Sequence, residues 1–239
     1  MSNLIAELMR VVEISFKNLV QPSLVAIYDA DHKHPDRFVQ VGTGFLILYK
    51  SRPLLVTAKH VLRGHSLMED PAKKAFHVPQ GLAFFDDSTR LYEAPDKDIA
   101  LYYADEFSVS SKTVLLSADC IVNQPASIIT VGGYLARDFK RQDGELRPKP
   151  WIYSNVAIPN NADLVSLRYP KRRNVFSRTG KAAVSPIPRG KSGGPMLSTF
   201  DLIRGKVSIV GIFTDQSEGV GRGESSDALK VALRLSEGF

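Results

Sequence analysis

The sequence predicts an all-β protein with a helix at each end. Three observations carry this. Short apolar segments rich in β-branched and aromatic residues recur from residue 22 to residue 215. Glycine, proline, asparagine and aspartate punctuate the gaps between them. Apolar residues at helical spacing mark the two ends of the chain instead. Many short strands with few helices make a barrel or a sandwich.

Taken in order, Ile5, Leu8, Met9, Val12, Phe16 and Leu19 repeat as one face of a helix. This amphipathic helix is expected to pack on the body of the protein; docking a regulatory protein partner is the second use open to it. Glu7 and Glu13 interrupt the apolar run and no basic segment precedes it, which argues against a signal peptide. "PSLVAIYD" (22–29), "FVQVGTGFLILY" (38–49) and "RPLLVTA" (52–58) read as strands. So do "GLAFFD" (81–86), "DIALYY" (98–103), "ASIITVGGY" (126–134), "DLVSLRY" (163–169) and "GKVSIVGIFTD" (205–215). Ala228, Val231, Ala232 and Leu235 share a face of the last helix, with Ser226 or Asp227 as its N-cap. The domain reading is an N-terminal helix over 1–20, a first β unit over 21–115, a second over 116–222 and a C-terminal helix over 223–239.

Composition limits the function. The chain has 239 residues, 44% of them hydrophobic and 23% charged, enough for a sizeable core. No apolar run is long enough to span a bilayer, so no membrane role is expected. Cys120 is the single cysteine, so no intrachain disulfide can form. A reducing, cytoplasmic location is expected, with Cys120 a buried structural thiol. The net charge is +6, with basic residues gathered at 137–149 and 168–178. These read as solvated loops, and nucleic acid is not the expected partner. His32 and His34 lie in a polar hairpin loop without a third ligand, so no metal is expected there.

The chemistry gathers around "RGKSGGPML" (189–197), three glycines and a proline about one serine. A phosphate loop ending Gly190-Lys191-Ser192 needs a glycine where Ser185 stands. A nucleophile elbow over Gly190–Gly194 needs a histidine after the serine, and the last histidine is His77. A third arrangement, with chain order His, Asp, Ser, has all its pieces. His60 ends the apolar "LLVTAKH", and Asp98 precedes the apolar Ile99-Ala100-Leu101.

Thr57-Ala58-Lys59-His60, Asp98-Ile99-Ala100-Leu101 and Gly190-Lys191-Ser192-Gly193-Gly194-Pro195 together resemble the T-A-x-H, D-I-A-L and G-D-S-G-G-P motifs of the trypsin-like (chymotrypsin-fold) serine proteases. The resemblance covers about residues 22–222. It implies two six-stranded antiparallel β-barrels, the first with His60 and Asp98, the second with Ser192. It implies cleavage of a protein or peptide substrate through an acyl-enzyme, with no cofactor. Ser192 is then the nucleophile, His60 its general base, and Asp98 the group that fixes the imidazole. The Gly190 and Ser192 N–H groups form the oxyanion hole. A catalytically silent module binding a protein or nucleic acid through basic loops is the alternative.

The resemblance is incomplete. The family's aspartate before the nucleophile pairs with an inserted N-terminus in zymogen-derived members; Lys191 stands there and would repel an ammonium. Activation by that route is therefore not expected. Pro186 and Ile187 fall where the resemblance puts the specificity pocket, and Thr214 and Asp215 near the substrate backbone. No acid stands at the base of that pocket, which favours a small or apolar side chain before the scissile bond; Asp215 leaves a basic one open.

Overall fold

Helix α1 (Ser2–Leu19) divides along its length. Val12 and Phe16, with the following Val20, are buried, whereas Leu4, Ile5, Leu8 and Ile14 are exposed. The Phe16 ring fills the space that a side chain at Gly132 would take. The C-terminal half of α1 is thus part of the core. The computed structural model describes residues 2–31, 34–63, 74–78, 81–84, 90–104, 114–123, 125–135, 140–142, 145–148, 150–159, 163–170, 174–175, 182–183 and 190–238.

The first β unit contains β1 (Leu24–Asp31), β2 (His34–Tyr49), β3 (Arg52–Thr57), helix α2 (Lys59–Arg63), β4 (Lys74–Val78), β5 (Gly81–Phe84), β6 (Leu91–Glu93), β7 (Ala100–Tyr103) and β8 (Leu116–Ser117). Its strands run in the order β5-β4-β1-β2-β3-β7-β6, with β8 parallel to β2. Among the described residues this is an open eight-stranded sheet, where the resemblance implies a six-stranded barrel. Strands β6 and β8 are too short to mark themselves, and polar Lys74 and His77 break the pattern of β4. Leu24, Ala26 and Tyr28 enter one apolar cluster, and Val25 and Ile27 another. Both faces of β1 are therefore covered, which is why its sequence is a continuous apolar run rather than an alternation.

The second unit contains β9 (Ile128–Tyr134), β10 (Lys140–Gln142), β11 (Glu145–Arg147), β12 (Pro150–Ile158), β13 (Leu164–Arg168), β14 (Asn174–Val175), β15 (Ala182–Ala183), β16 (Pro195–Ser198), helix α3 (Thr199–Ile203), β17 (Ile209–Ser217) and β18 (Val220–Ser225). Six of these strands close a barrel in the order β12-β13-β18-β17-β16-β9. Ile129, Val131, Tyr153, Leu167, Tyr169, Met196, Val210 and Phe213 form its apolar cluster. Strands β10–β11 and β14–β15 are separate two-stranded pairs.

Two hairpins turn on two residues with positive φ: Lys50 and Ser51 between β2 and β3, Glu218 and Gly219 between β17 and β18. This is the turn whose twist matches that of the strands. Three of these four residues are not glycine, so neither hairpin carries the usual sequence signal.

Helix α4 (Ser226–Leu235) begins one residue earlier than Ser226 as N-cap allows and two earlier than Asp227 allows. Ser225 caps it, its hydroxyl accepting the Ala228 N–H at 3.3 Å. Residues 223–225, assigned from sequence to the helical end, close the barrel as part of β18. Strand β17 starts at Ile209 and not at 205: α3 ends at Ile203, Arg204 and left-handed Gly205 turn the chain, and 206–208 precede the strand. Strand β7 starts at Ala100, leaving Asp98 in the preceding turn. Ala228, Leu229, Ala232 and Leu233 join the cluster containing Phe16, Phe45 and Ile212, so both terminal helices seal the same core. Among the described residues no helix is long and apolar enough to cross a membrane.

Candidate active site

Strand β3 ends on buried Thr57, buried Ala58 follows, and α2 then turns His60 outward. Lys59 reaches the other way, its ammonium donating to the Ala94 and Pro95 carbonyls at 2.7 and 3.2 Å. This pins the turn that carries Asp98, itself closed by Ala94 N–H on the Ile99 carbonyl at 3.0 Å. The His60 backbone N–H donates to Asp98 Oδ1 at 2.9 Å, and Nδ1 stands 2.6 Å from Oδ2. An ionised carboxylate only accepts, so Nδ1 carries the proton. Burial pushes the Asp98 carboxyl up; the hydrogen bonds and charge of His60 outweigh this and hold it below its ordinary value.

Glu224 of β18 supports Asp98 from the second barrel. Its Oε1 accepts the Asp98 N–H at 2.9 Å. Its Oε2 is buried and makes no hydrogen bond among the described residues.

The serine turn is fastened to the first sheet by Thr43 of β2. Thr43 N–H donates to the Ser192 carbonyl at 2.9 Å, and its hydroxyl to the Gly190 carbonyl at 2.6 Å. The same hydroxyl accepts the Tyr134 N–H at 2.9 Å, and the Thr43 carbonyl accepts the Thr57 hydroxyl at 2.8 Å. Gln40 adds a longer bond to the Gly190 carbonyl at 3.3 Å. One threonine therefore couples the strand leading to His60, the serine turn and the barrel.

Gly193 answers why so little side chain surrounds Ser192. Its φ is +88°, and a Cβ there would run into the Thr43 carbonyl and the Thr57 hydroxyl. That close approach packs the serine turn against the residues leading into His60. Gly193 N–H donates to the Phe213 carbonyl at 2.7 Å, and Gly194 N–H to the Lys191 carbonyl at 2.8 Å. The N–H groups of Gly190 and Ser192 have no acceptor among the described residues. Gly190 has φ +85°, a shape that favours glycine.

Ser192 is half-buried, and its hydroxyl donates to the Thr214 carbonyl at 2.9 Å. Its one proton is thus held by β17 rather than by His60. Asp215 is exposed, 3.8 Å from the Arg222 guanidinium across the hairpin. Pro186, Ile187 and His32 lie outside the described residues. His34 opens β2, paired with Asp31. Cys120 is half-buried rather than buried; burial first, then Asp119, raises its thiol pKa.

Sequence reasoning passed over Thr43, Gln40 and Glu224. "VGTGF" reads as strand, and nothing local marks Thr43 as a clamp. Glu224 sits in "VGRGES", whose glycines obscure a strand.

No protein-family model and no curated protein matches the sequence. Solved structures do match. A human astrovirus serine protease aligns with TM-score 0.51 and 16% identity, over 86% of this chain and 91% of that one. The tobacco vein mottling virus protease aligns with TM-score 0.52 and 12% identity, over 87% and 78%. A structure from work on aromatic interactions in the coupled folding and binding of the disordered Sesbania mosaic virus VPg protein gives 0.51 and 17%, over 90% of both chains. The chain has the chymotrypsin-like fold. Two of these structural neighbours are viral proteases.

Proposed function

We propose that this protein is a serine endopeptidase. One observation carries the reading: a His60–Asp98 hydrogen bond, with the serine turn packed through Gly193 on Thr57 of the strand leading to His60, and its Gly190 and Ser192 N–H groups unpaired among the described residues. A protein or peptide strand is the substrate, with Thr214 and Asp215 beside it. Ser192 Oγ leaves the Thr214 carbonyl by rotation about one side-chain bond and attacks the scissile carbonyl carbon. His60 Nε2 takes the hydroxyl proton as the Oγ–C bond forms. The carbonyl oxygen takes the negative charge and is met by the two free N–H groups. The C–N bond then breaks, and His60 gives its proton to the leaving amine. Water attacks the remaining acyl-serine by the same route, freeing the acid and restoring Ser192. Asp98 stays ionised and stabilises the imidazolium throughout. No cofactor takes part. The single cysteine suits a reducing, cytoplasmic setting.

The test is labelling of the purified full chain with a fluorophosphonate probe. Wild type should label at Ser192, and Ser192→Ala should not. Asp98→Asn should label more slowly, with peptidase activity down by about four orders of magnitude. Folded wild type that fails to label would overturn the reading in favour of a binding module.

A further inference from the structure

Lys191, between the two N–H donors of the proposed oxyanion hole, points into the second barrel and is 0% exposed. Its ammonium lies 2.6 Å from the centroid of the Trp151 ring. It donates to the Tyr169 hydroxyl at 3.0 Å and lies 5.5 Å from the centroid of that ring. Trp151 stacks on Tyr153 at 5.7 Å, and Tyr153 leans on Tyr169 at 4.3 Å. Trp151 and Tyr153 are two apart on β12 and so share a face. Opposite Trp151 in the register stands Gly133, where a Cβ would come within 3.4 Å of the Lys191 Cα and 3.5 Å of its Cγ. The lysine stem thus runs past Gly133, and aromatic faces meet its end.

Burying an ammonium is unfavourable unless its lost hydration is replaced, and aromatic faces with the Tyr169 hydroxyl meet this one. The place of Lys191 in the chain gives this anchor its purpose. The side chain is anchored by direction as well as by volume, and the backbone it anchors carries Gly190 N–H on one side and Ser192 N–H on the other.

We propose that Lys191 is a positioning residue whose cation–π contact with Trp151 holds the oxyanion turn in its anion-binding shape. This rests on the protease reading for its purpose, but not for its test. The turn is then competent without an inserted N-terminus, because the anchoring charge comes from within the turn itself.

Trp151 is the only tryptophan in the chain, so its emission reports on the cage directly. The experiment compares full-length wild type with Lys191→Met, Trp151→Leu and Trp151→Phe. Thermal unfolding shows which variants fold, and amide exchange over 190–194 reads the turn. Lys191→Met should still unfold in one cooperative transition. Its Trp151 emission maximum should shift, because a unit charge has left the ring face. Exchange over 190–194 should quicken while β9 and β17 keep wild-type protection. Peptide hydrolysis should show kcat lower by about 10- to 100-fold with little change in KM, as expected when an oxyanion donor is misplaced. Trp151→Leu should reproduce the faster exchange, and Trp151→Phe, which keeps a ring face, should lie between it and wild type. Wild-type exchange over 190–194 in both Lys191→Met and Trp151→Leu overturns the proposal, whether or not wild type labels. So does faster exchange spread evenly over the barrel. Labelling of wild type separately decides the protease reading.

Discussion

The backbone N–H of Thr43 donates to the carbonyl oxygen of Ser192 at 2.9 Å, joining the first sheet to the turn that carries the proposed nucleophile. The Thr43 side chain adds a second tie by donating to the Gly190 carbonyl and accepting the Tyr134 N–H. Thr43→Val keeps the branched shape and removes the hydroxyl. A buried Tyr134 N–H then loses its acceptor, at about 1–3 kcal/mol. Urea unfolding should show that loss, and Thr43→Ser should recover most of it. Equal stability of Thr43→Val and wild type would remove the clamp from this account.

Asp98 should leave a mark on acid stability. Its carboxyl is held below the unfolded value of about 3.9. As the pH falls, the unfolded chain takes up that proton first. The contribution of Asp98 is therefore complete above about pH 5 and is lost as the pH falls through 4 towards the depressed folded value. Asp98→Asn should flatten the stability profile over that interval, read as urea midpoints at a series of pH values. Parallel profiles for the two proteins would assign the acid loss to other groups.

Two left-handed glycines separate conformation from contact. Gly193 and Gly205 have φ of +88° and +73°. A Cβ at Gly205 meets nothing within 4 Å, whereas one at Gly193 meets the backbone of β2 and the Thr57 hydroxyl. Gly205→Ala should cost only the left-handed penalty, about 1–2 kcal/mol. Gly193→Ala should cost clearly more and abolish probe labelling. Thermal unfolding of the pair gives the comparison, and equal losses would mean that the close approach is relieved cheaply.

Helix α1 offers a similar contrast. Phe16 is 2% exposed and Leu8 is 42% exposed. Phe16→Ala should destabilise by about 3–5 kcal/mol. Leu8→Ala should change stability by less than about 0.5 kcal/mol. A small effect of Phe16→Ala would show that α1 is dispensable to the core.

The strand-rich class, the helix at each end and the chain order of His60, Asp98 and Ser192 were determined by the sequence alone, because each depends on local pattern. A buried strand such as "LLVTA" announces itself by an unbroken apolar run. A glycine-rich turn announces itself by missing side chains. Strands such as β12 and β18 did not, because polar residues or glycines interrupt their patterns, and the hairpin turns over Lys50-Ser51 and Glu218-Gly219 lack the usual signal. What the tertiary structure decided is where distant segments meet. Lys191 reads in sequence as a misplaced charge that would repel an incoming ammonium. Only the fold shows its side chain turned inward, across Gly133 and onto Trp151. Thr43 beneath Ser192, Glu224 beneath Asp98 and Phe16 over Gly132 belong to the same kind. Each is a contact between segments far apart in the chain, set by how strands register and barrels close, and no periodicity within either segment encodes its partner.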